Sequence, residues 1–318
     1  MNLSQSISNA SRSSAEYLST EFSSVACEVG DPFAQLAVEV EQQPFTSNAS
    51  LRNSLERRQR ELQQDQTRDQ YLVFTSIPLA LFCRLSDDRS RTSKYCRFSY
   101  NTETGILIAK IVPNSAHEVA IRSFDSIITL ELRAMNIRRE IRPLGSTTVT
   151  VGNWKKEADC SWAIVSTRSK PSFVVEVGLS ESARKLAQDA HGWLETDSSS
   201  VKLVVTINIK RDTPEIVLQK WELIPRRYGL LTRSFTLLAY PTASLKLTRT
   251  NNTTSVTAEP DMNTTYGTGT TAAITQLILP FEKIVGRPAQ QGPERDFVIP
   301  ESELKTFAEE IWSEQGLL

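Results

Sequence analysis

Hydrophobic positions recur with two different spacings along this chain, and each spacing predicts one kind of regular structure. Short apolar runs predict strands, and these runs are GILIAKIVP, TTVTV, SWAIV, SFVVEVG, VKLVVTINIK and PEIVLQKWEL. Apolar residues three and four positions apart predict helices from about Ser115 to Leu132 and from Ser180 to Leu194. From Ala116 to Ile209 the predicted order is therefore helix, strand, strand, strand, helix, strand, which favours a mixed α/β sheet with helices on its faces.

The segments before this centre have other patterns. Residues 1–54 are rich in Ser, Asn, Gln and Glu and hold few regularly spaced apolar residues, so they predict a mostly disordered tail. Residues 55–70 combine strong helix formers with charges and hardly any apolar stripe, which predicts a solvated helix. For Arg57, Arg58 and Arg60 the alternative is a patch that contacts phosphates.

Residues 71–225 make up the predicted core, and residues 226–318 a β-rich extension. The core begins at Tyr71 with a short strand followed by a turn or a buried connection. In the extension, two β-rich stretches flank a Thr-, Asn- and Gly-rich segment at about 250–271, which predicts a flexible insert. A final helix is predicted from Pro300 onward.

Composition narrows the class of protein without indicating an activity. The chain has 318 residues, of which 39% are hydrophobic, so it can bury a sizeable core. Its 36 basic and 37 acidic side chains leave a net charge of -1, and no overall field draws it to nucleic acid or to a membrane. The N-terminal sequence lacks the apolar core of a signal peptide, and no apolar run could span a bilayer. We expect an intracellular protein of the nucleus or cytoplasm that is not secreted.

Two carboxylates on neighbouring predicted strands are the strongest chemical signal. Glu176 lies inside the apolar run SFVVEVG, and Asp159 opens the run SWAIV. An ionised carboxylate in an apolar setting loses hydration that a partner must replace, so this pattern predicts either a metal ion or a basic partner. Taken singly, Asp159 has the alternative of a strand-start residue and Glu176 that of a buried ion pair.

These residues fall within a resemblance that covers a little under half of the chain. The segments PNSAHEVAIRSF, GSTTV, KEADCSW, SFVVEVGLSESARKLAQDA and KWEL resemble the PD-(D/E)XK restriction-endonuclease-like nucleases. More closely, they resemble a set of mostly uncharacterised restriction-endonuclease-like proteins found in fungi. The run E-V-G-x-S-E-S is the most specific part. The resemblance implies a restriction-endonuclease-like core within residues 71–225.

The resemblance also implies a set of site residues. Asp159 and Glu176 would be the first and second ligands of a divalent cation, Mg²⁺, and the carbonyl of Val177 a third ligand. Such an ion neutralises charge on a phosphate and lowers the pKa of the attacking water. Glu118 matches an additional acidic position of the family, with the alternative that it caps its own helix together with Ser115.

One position departs from the family pattern in a way that affects catalysis. Gly178 stands where the motif has a lysine that orients the water and stabilises the transition state. Related proteins carry this base on the following helix, where Lys185 is the first candidate and Arg184 the second. The alternative for Lys185 is an exposed residue paired with Glu181 or Asp189.

Two functions therefore compete. The first is an Mg²⁺-dependent endonuclease that hydrolyses phosphodiester bonds of DNA without an organic cofactor. Its candidates for phosphate contact are Arg138, Arg139, Arg142, Lys155 and Lys156. The second is a catalytically inactive protein that keeps the fold as a nucleic-acid or protein binding module, which the missing lysine and the near-zero net charge favour. The sequence leaves the oligomeric state open.

Overall fold

The computed structural model describes residues 31–318 with gaps, which are 39, 68, 88–94, 113–114, 168–169, 180–182, 226–236 and 260–274. Pro32–Leu318 form one compact unit. The predicted tail at residues 1–30 and the predicted insert from residue 260 onward lie outside the described residues. Among the helices that are described, none is long and apolar enough to cross a membrane.

Strands and helices alternate along the described part of the chain. The strands are β1 (Gln42–Pro44), β2 (Tyr71–Thr75), β3 (Cys96–Asn101), β4 (Leu107–Ile111), β5 (Ile141–Pro143), β6 (Thr148–Val151), β7 (Trp154–Glu157), β8 (Cys160–Ile164), β9 (Pro171–Leu179), β10 (Leu203–Ile209), β11 (Glu215–Pro225), β12 (Leu237–Thr250), β13 (Thr253–Ala258), β14 (Leu277–Leu279) and β15 (Phe297–Ile299). The helices are α1 (Pro32–Val38), α2 (Asn48–Gln63), α3 (Leu79–Asp87), α4 (Ser115–Ala134), α5 (Ala183–Glu195), α6 (Phe281–Val285) and α7 (Glu301–Gln315).

The first sheet carries a row of polar residues across its middle. Its strand order is β1, β2, β4, β3, β7, β6, and only β1 and β2 run parallel. Lys110 of β4 lies directly beside Tyr71 of β2 and Arg97 of β3. Ser99 of β3 lies beside Lys156 of β7. Residues opposite each other on neighbouring strands point to the same face, so this row forms a polar strip.

The second sheet contains the predicted central elements. Its order is β13, β12, β11, β10, β9, β8, β5, and only β9 and β10 run parallel, with α5 as their crossover. Apart from β6 and β7, which belong to the first sheet, the chain order here is helix, strand, strand, strand, helix, strand, formed by α4, β5, β8, β9, α5 and β10. The predicted mixed α/β fold, with a β-rich C-terminal region, is confirmed. Strands β12 and β13 extend the same sheet beyond the core.

Strand β9 separates two parts of the hydrophobic core, because all of its residues are buried and its side chains alternate between faces. Phe173, Val175 and Val177 pack with α4 and α7 on one face. Val174 packs on the opposite face with α1 and α5. Glu176 points to the same face as Val174, toward the first sheet. The long apolar run of β9 is typical of a parallel strand that is covered on both sides.

One predicted strand of the central sheet was assigned to the wrong sheet. The run TTVTV forms β6, which pairs with β7 in the first sheet. The corresponding strand of the second sheet is β5, where Ile141 pairs with Ile164 of β8. Its sequence IRP has a single apolar aliphatic residue, which is too few to show the alternation of apolar and polar residues that predicts a strand.

The predicted tail and solvated helix also need correction within the described residues. Residues 32–54 hold α1, β1 and the first turns of α2 instead of a disordered segment. Helix α2 is not solvated on all sides, because Leu51, Leu55 and Leu62 are buried. These leucines are spaced by four and seven residues and form a narrow stripe, which the surrounding charges obscured.

Three smaller expectations had mixed outcomes. The connection after β2, predicted as a turn or a buried connection, is helix α3, in which Phe82 and Leu85 are buried. Strand β13 occupies part of the predicted flexible insert. The final helix begins directly after Pro300, as predicted.

Candidate functional site

Asp159 and Glu176 converge on a single lysine. Asp159 directly precedes β8, and Glu176 lies in β9, where Cys160 pairs with Val175. Both carboxylates face the first sheet, and both are buried at 2% and 1% exposure. The ammonium of Lys110 lies 2.8 Å from Asp159 Oδ2 and 3.5 Å from Glu176 Oε2. The two predicted acids therefore do meet, and a protein cation lies between them.

Asp159 is held in its ionised form. Its Oδ2 also accepts a hydrogen bond of 2.9 Å from the backbone N–H of Val177. Its Oδ1 lies 3.4 Å from His117 Nε2 and 3.5 Å from Arg97 Nε. Burial raises the pKa of Asp159, but Lys110, His117 and Arg97 more than offset it and hold that pKa well below its usual range.

Glu176 is in a different electrostatic position. The indole N–H of Trp193 donates a 2.6 Å hydrogen bond to its Oε1, and Lys156 Nζ lies 3.9 Å from the same oxygen. Burial raises the pKa of Glu176 to about 8, because the lowering by Lys156 and Lys110 is opposed by the charges of Asp189 and Asp159. The raised pKa favours the protonated form of Glu176 at neutral pH.

A second buried ion pair adjoins the first. Lys156 Nζ lies 2.6 Å from Asp189 Oδ1, and the Tyr71 hydroxyl donates to Asp189 Oδ2 at 3.3 Å. The same ammonium lies 4.9 Å from the centre of the Phe33 ring. Burial alone would lower the pKa of Lys156, yet Asp189 and Glu176 raise it above its ordinary value. Lys156 is thus a permanent cation inside the protein.

The charges of this cluster balance when Glu176 is neutral. Arg97 reaches from the cluster toward the surface and contacts Glu118 at 3.3 Å. Three basic side chains then face three acidic ones, namely Lys110, Lys156 and Arg97 against Asp159, Asp189 and Glu118. A fourth negative charge on Glu176 would have no cation of its own, which agrees with its raised pKa. We call these seven residues the charge cluster.

The inner part of the charge cluster, formed by Lys110, Lys156, Asp159, Glu176 and Asp189, is buried. Helix α1 lies over it, and Phe33 packs edge-on against Trp154 and Trp193. The cavity beside Glu176, which Leu36 of α1 also lines, has a volume of about 10 Å³. That volume holds about one water molecule, and a phosphate group does not fit.

The residues do not fit a divalent cation in this arrangement. Mg²⁺ requires several oxygen ligands in near-octahedral geometry, but the oxygens of Asp159 and Glu176 already surround Lys110 Nζ. The carbonyl of Val177 lies 3.1 Å from His117 Nε2. Within the described ranges, no group of three or more His, Cys, Asp or Glu side chains could hold a metal ion. A further double charge would also disturb a balanced cluster.

The other predicted catalytic residues lie at the edge of this arrangement. Lys185, proposed as the relocated base, binds Asp69 at 2.7 Å and lies 4.9 Å from the centre of the Tyr71 ring. Glu118 is half exposed and contacts Arg97. The lysine that contacts both acids is Lys110 of β4, which comes from the opposite sheet.

The five predicted phosphate contacts separate into two groups. Lys156 is buried in the charge cluster and Lys155 is half-buried, so Lys156 cannot contact a nucleic acid. Arg138, Arg139 and Arg142 are exposed at β5, the outer strand of the second sheet. We call these three residues the arginine edge. Of the other predicted patch, Arg58 is buried and donates to the carbonyl oxygens of Asp69 and Tyr71.

The sequence carried a signal for one residue that was missed. Lys110 lies in the apolar run GILIAKIVP just as Glu176 lies in SFVVEVG, and two opposite charges in two buried strands can compensate each other. Asp189 and Trp193 had no comparable signal. They lie on the apolar side of α5, where helical spacing cannot distinguish a packing residue from a hydrogen-bonding one.

The second sheet and its helices form a mixed α/β core, in which Asp159 directly precedes β8 and Glu176 lies in the adjacent strand β9. No protein-family model matches the chain, and no curated protein matches it. It is similar to a solved structure from Anabaena variabilis described as a "putative nuclease belonging to DUF820", at 13% identity and a TM-score of 0.34, over 66% of this chain and 90% of that one. A likeness of this degree carries no conclusion about activity. The resemblance to fungal proteins in particular finds no support in these comparisons.

Proposed function

We propose that this protein has a restriction-endonuclease-like fold without phosphodiesterase activity and binds nucleic acid through the arginine edge. One observation carries the first part. The ammonium of Lys110 lies between Asp159 and Glu176, and all three residues are buried. Hydrolysis needs a cation that contacts the phosphate, and the cavity beside Glu176 is too small to admit a phosphate group.

The second part rests on exposed charge at β5. Arg138 and Arg139 are exposed in the turn before this strand, and Arg142 is exposed within it. Glu140, which lies between Arg139 and Arg142 in sequence, pairs with Arg287 at 2.8 Å. Three exposed guanidinium groups within five residues form a local patch that can contact several phosphates of a nucleic acid, despite the near-zero net charge.

Anisotropy of a short labelled DNA duplex, measured at several salt concentrations, tests this binding. The triple variant Arg138→Gln, Arg139→Gln, Arg142→Gln should bind more weakly and lose about 3 from the slope of log affinity against log salt, about one for each phosphate contact. The matched control removes three exposed arginines outside both predicted phosphate patches, namely Arg52→Gln, Arg84→Gln and Arg122→Gln. Equal losses in both variants, or no binding by the wild type, would refute the arginine edge.

A second candidate function is Mg²⁺-dependent cleavage of DNA, and the convergence of Asp159, Glu176 and a lysine favours it. Mg²⁺ therefore stays a prediction that a direct assay can decide. Purified protein is incubated with supercoiled plasmid and Mg²⁺, with Asp159→Ala and Glu176→Ala as controls. Nicking that both substitutions abolish would replace the binding proposal with a nuclease. Absence of nicking by well-folded protein agrees with the binding module.

A further inference from the structure

We infer that the side chain of Lys110 substitutes for a divalent cation between Asp159 and Glu176, and that removing its ammonium converts the acid pair into a divalent-cation site. This inference deepens the proposed lack of phosphodiesterase activity. It names the residue that excludes the metal ion, and it concerns the acids rather than the arginine edge. Its success or failure can therefore be separated from the cleavage and DNA-binding assays.

The position of the ammonium supports the substitution. Lys110 Nζ lies within 3.5 Å of carboxylate oxygens from both strands, and it bonds Asp159 at 2.8 Å. A metal ion that bridges two carboxylates occupies this kind of position, with oxygens at about 2.0 to 2.6 Å for Mg²⁺ or Ca²⁺. The two cations therefore compete for the same oxygens, and only one can be present.

The strand that carries Lys110 cannot withdraw it easily. Strand β4 is paired on both sides, since Lys110 lies between Tyr71 of β2 and Arg97 of β3. Lys110 itself is buried, with 5% of its surface exposed. An added metal ion would have to displace this fixed cation from two buried carboxylates. The wild-type protein should consequently be indifferent to divalent cations.

Charge explains why the variant should respond. Without Lys110, the remaining cations Lys156 and Arg97 face one more carboxylate than they can balance. The methionine side chain is similar in length to the aliphatic part of lysine and has no charge. It therefore fills the space of the lysine methylenes and leaves the position of the ammonium empty. A divalent cation can then supply the missing positive charge, with Asp159 as its first ligand.

The test compares unfolding temperatures in EDTA with those in increasing Mg²⁺ or Mn²⁺. Lys110→Met should unfold at a lower temperature than the wild type in EDTA and recover progressively as the metal concentration rises. The wild type should show no metal-dependent shift. The matched control Lys156→Met removes an equally buried cation that pairs with Asp189 instead, and it should be destabilised without metal-dependent recovery.

A double variant and a refolding assay cover the remaining outcomes. Adding Asp159→Asn to Lys110→Met should abolish the recovery, because it removes the proposed first ligand. If Lys110→Met does not fold in EDTA, circular dichroism after refolding with Mn²⁺ replaces the unfolding temperature, and a recovered fold supports the inference. A Lys110→Met protein that is indifferent to both metals, or a wild type that is stabilised by them, overturns it.

Discussion

Asp159 and Glu176 should respond differently when each is replaced by its amide. Asp159 is ionised and bonds Lys110 at 2.8 Å, so Asp159→Asn leaves a buried ammonium without its main partner. Breaking a buried ion pair by removing one member destabilises a protein by about 3 to 5 kcal/mol. Glu176 is a neutral carboxyl at neutral pH, so Glu176→Gln changes little in the folded state and keeps the acceptor for Trp193.

The pH dependence makes this contrast quantitative. Burial raises the pKa of Glu176 to about 8 in the folded protein, against about 4.3 when unfolded. A raised carboxyl pKa contributes stability that is fully present below about pH 4.3 and is lost as pH rises toward 8, because the unfolded chain releases the proton first. Glutamine has no proton to release, so the stability of Glu176→Gln does not fall with pH in this way. Relative to wild type, it should increase by about 1.4 kcal/mol per pH unit across that range.

Asp159 has the opposite sign. Its folded pKa lies well below the ordinary value, chiefly because Lys110, His117 and Arg97 outweigh its burial. Its contribution is therefore present above about pH 3.9 and is lost as the pH falls through the folded pKa. The cost of Asp159→Asn should stay constant between pH 5 and pH 8, a range in which the advantage of Glu176→Gln grows.

Urea unfolding of the wild type and both variants at several pH values provides the measurement. Near pH 4.3 the curves of wild type and Glu176→Gln should nearly coincide, and at pH 8 the variant should be the more stable protein. If Glu176→Gln were destabilised at pH 8 as strongly as Asp159→Asn, Glu176 would be an ionised partner of the lysines. The charge balance described above would then be wrong.

Two further predictions concern the cover of the charge cluster and the thiols. A Cβ at Gly192 of α5 would overlap the Phe33 ring, so Gly192→Ala should lower the unfolding free energy measured in urea by about 1 to 3 kcal/mol. In a Phe33→Ala background the same change should be neutral or slightly stabilising. An equal cost in both backgrounds would contradict the contact between Gly192 and Phe33. Burial raises the pKa of Cys96 and Cys160 to about 12. A thiol reagent at pH 8 should therefore label the exposed Cys83 and leave the two buried thiols unmodified until urea unfolds the protein. Peptide mass spectrometry would show which cysteines are labelled.

The central elements were predictable because each has a strong period of its own. The apolar run of β9 and the helical stripe of α4 gave both elements. A helix between two buried strands implied the parallel pair β9 and β10, since a parallel connection needs a crossover. The meeting of Asp159 with Glu176 followed from the short loop between their strands.

The division of strands between two sheets was not predictable in the same way. The runs TTVTV and SWAIV both predict strands, yet β6 belongs to the first sheet and β8 to the second. Strand composition reports burial and says nothing about which neighbour a strand chooses. Helix α1 was missed for a related reason, because Phe33 is buried by residues far along the chain, such as Trp154 of β7 and Trp193 of α5.

The missing lysine illustrates a limit of motif comparison. Because side chains alternate along β9, a lysine at position 178 would point to the same face as Glu176, toward the first sheet. Lys110 instead reaches that space from the first sheet itself. A motif records spacing within one segment, whereas a charge can be supplied from any strand that faces the site.

The way the charge cluster is divided between the sheets suggests why it is retained. Its cations Lys110, Arg97 and Lys156 all come from the first sheet, whereas its buried carboxylates come from the second sheet and from α5. Buried ion pairs are weak sources of stability, because their desolvation offsets much of their attraction. These ion pairs form only in one relative position of the two sheets, however, since a shift of one sheet by one residue would leave several charges without partners. We therefore expect the cluster to help fix how the two sheets pack, in a way that depends on Lys110 lying between Asp159 and Glu176.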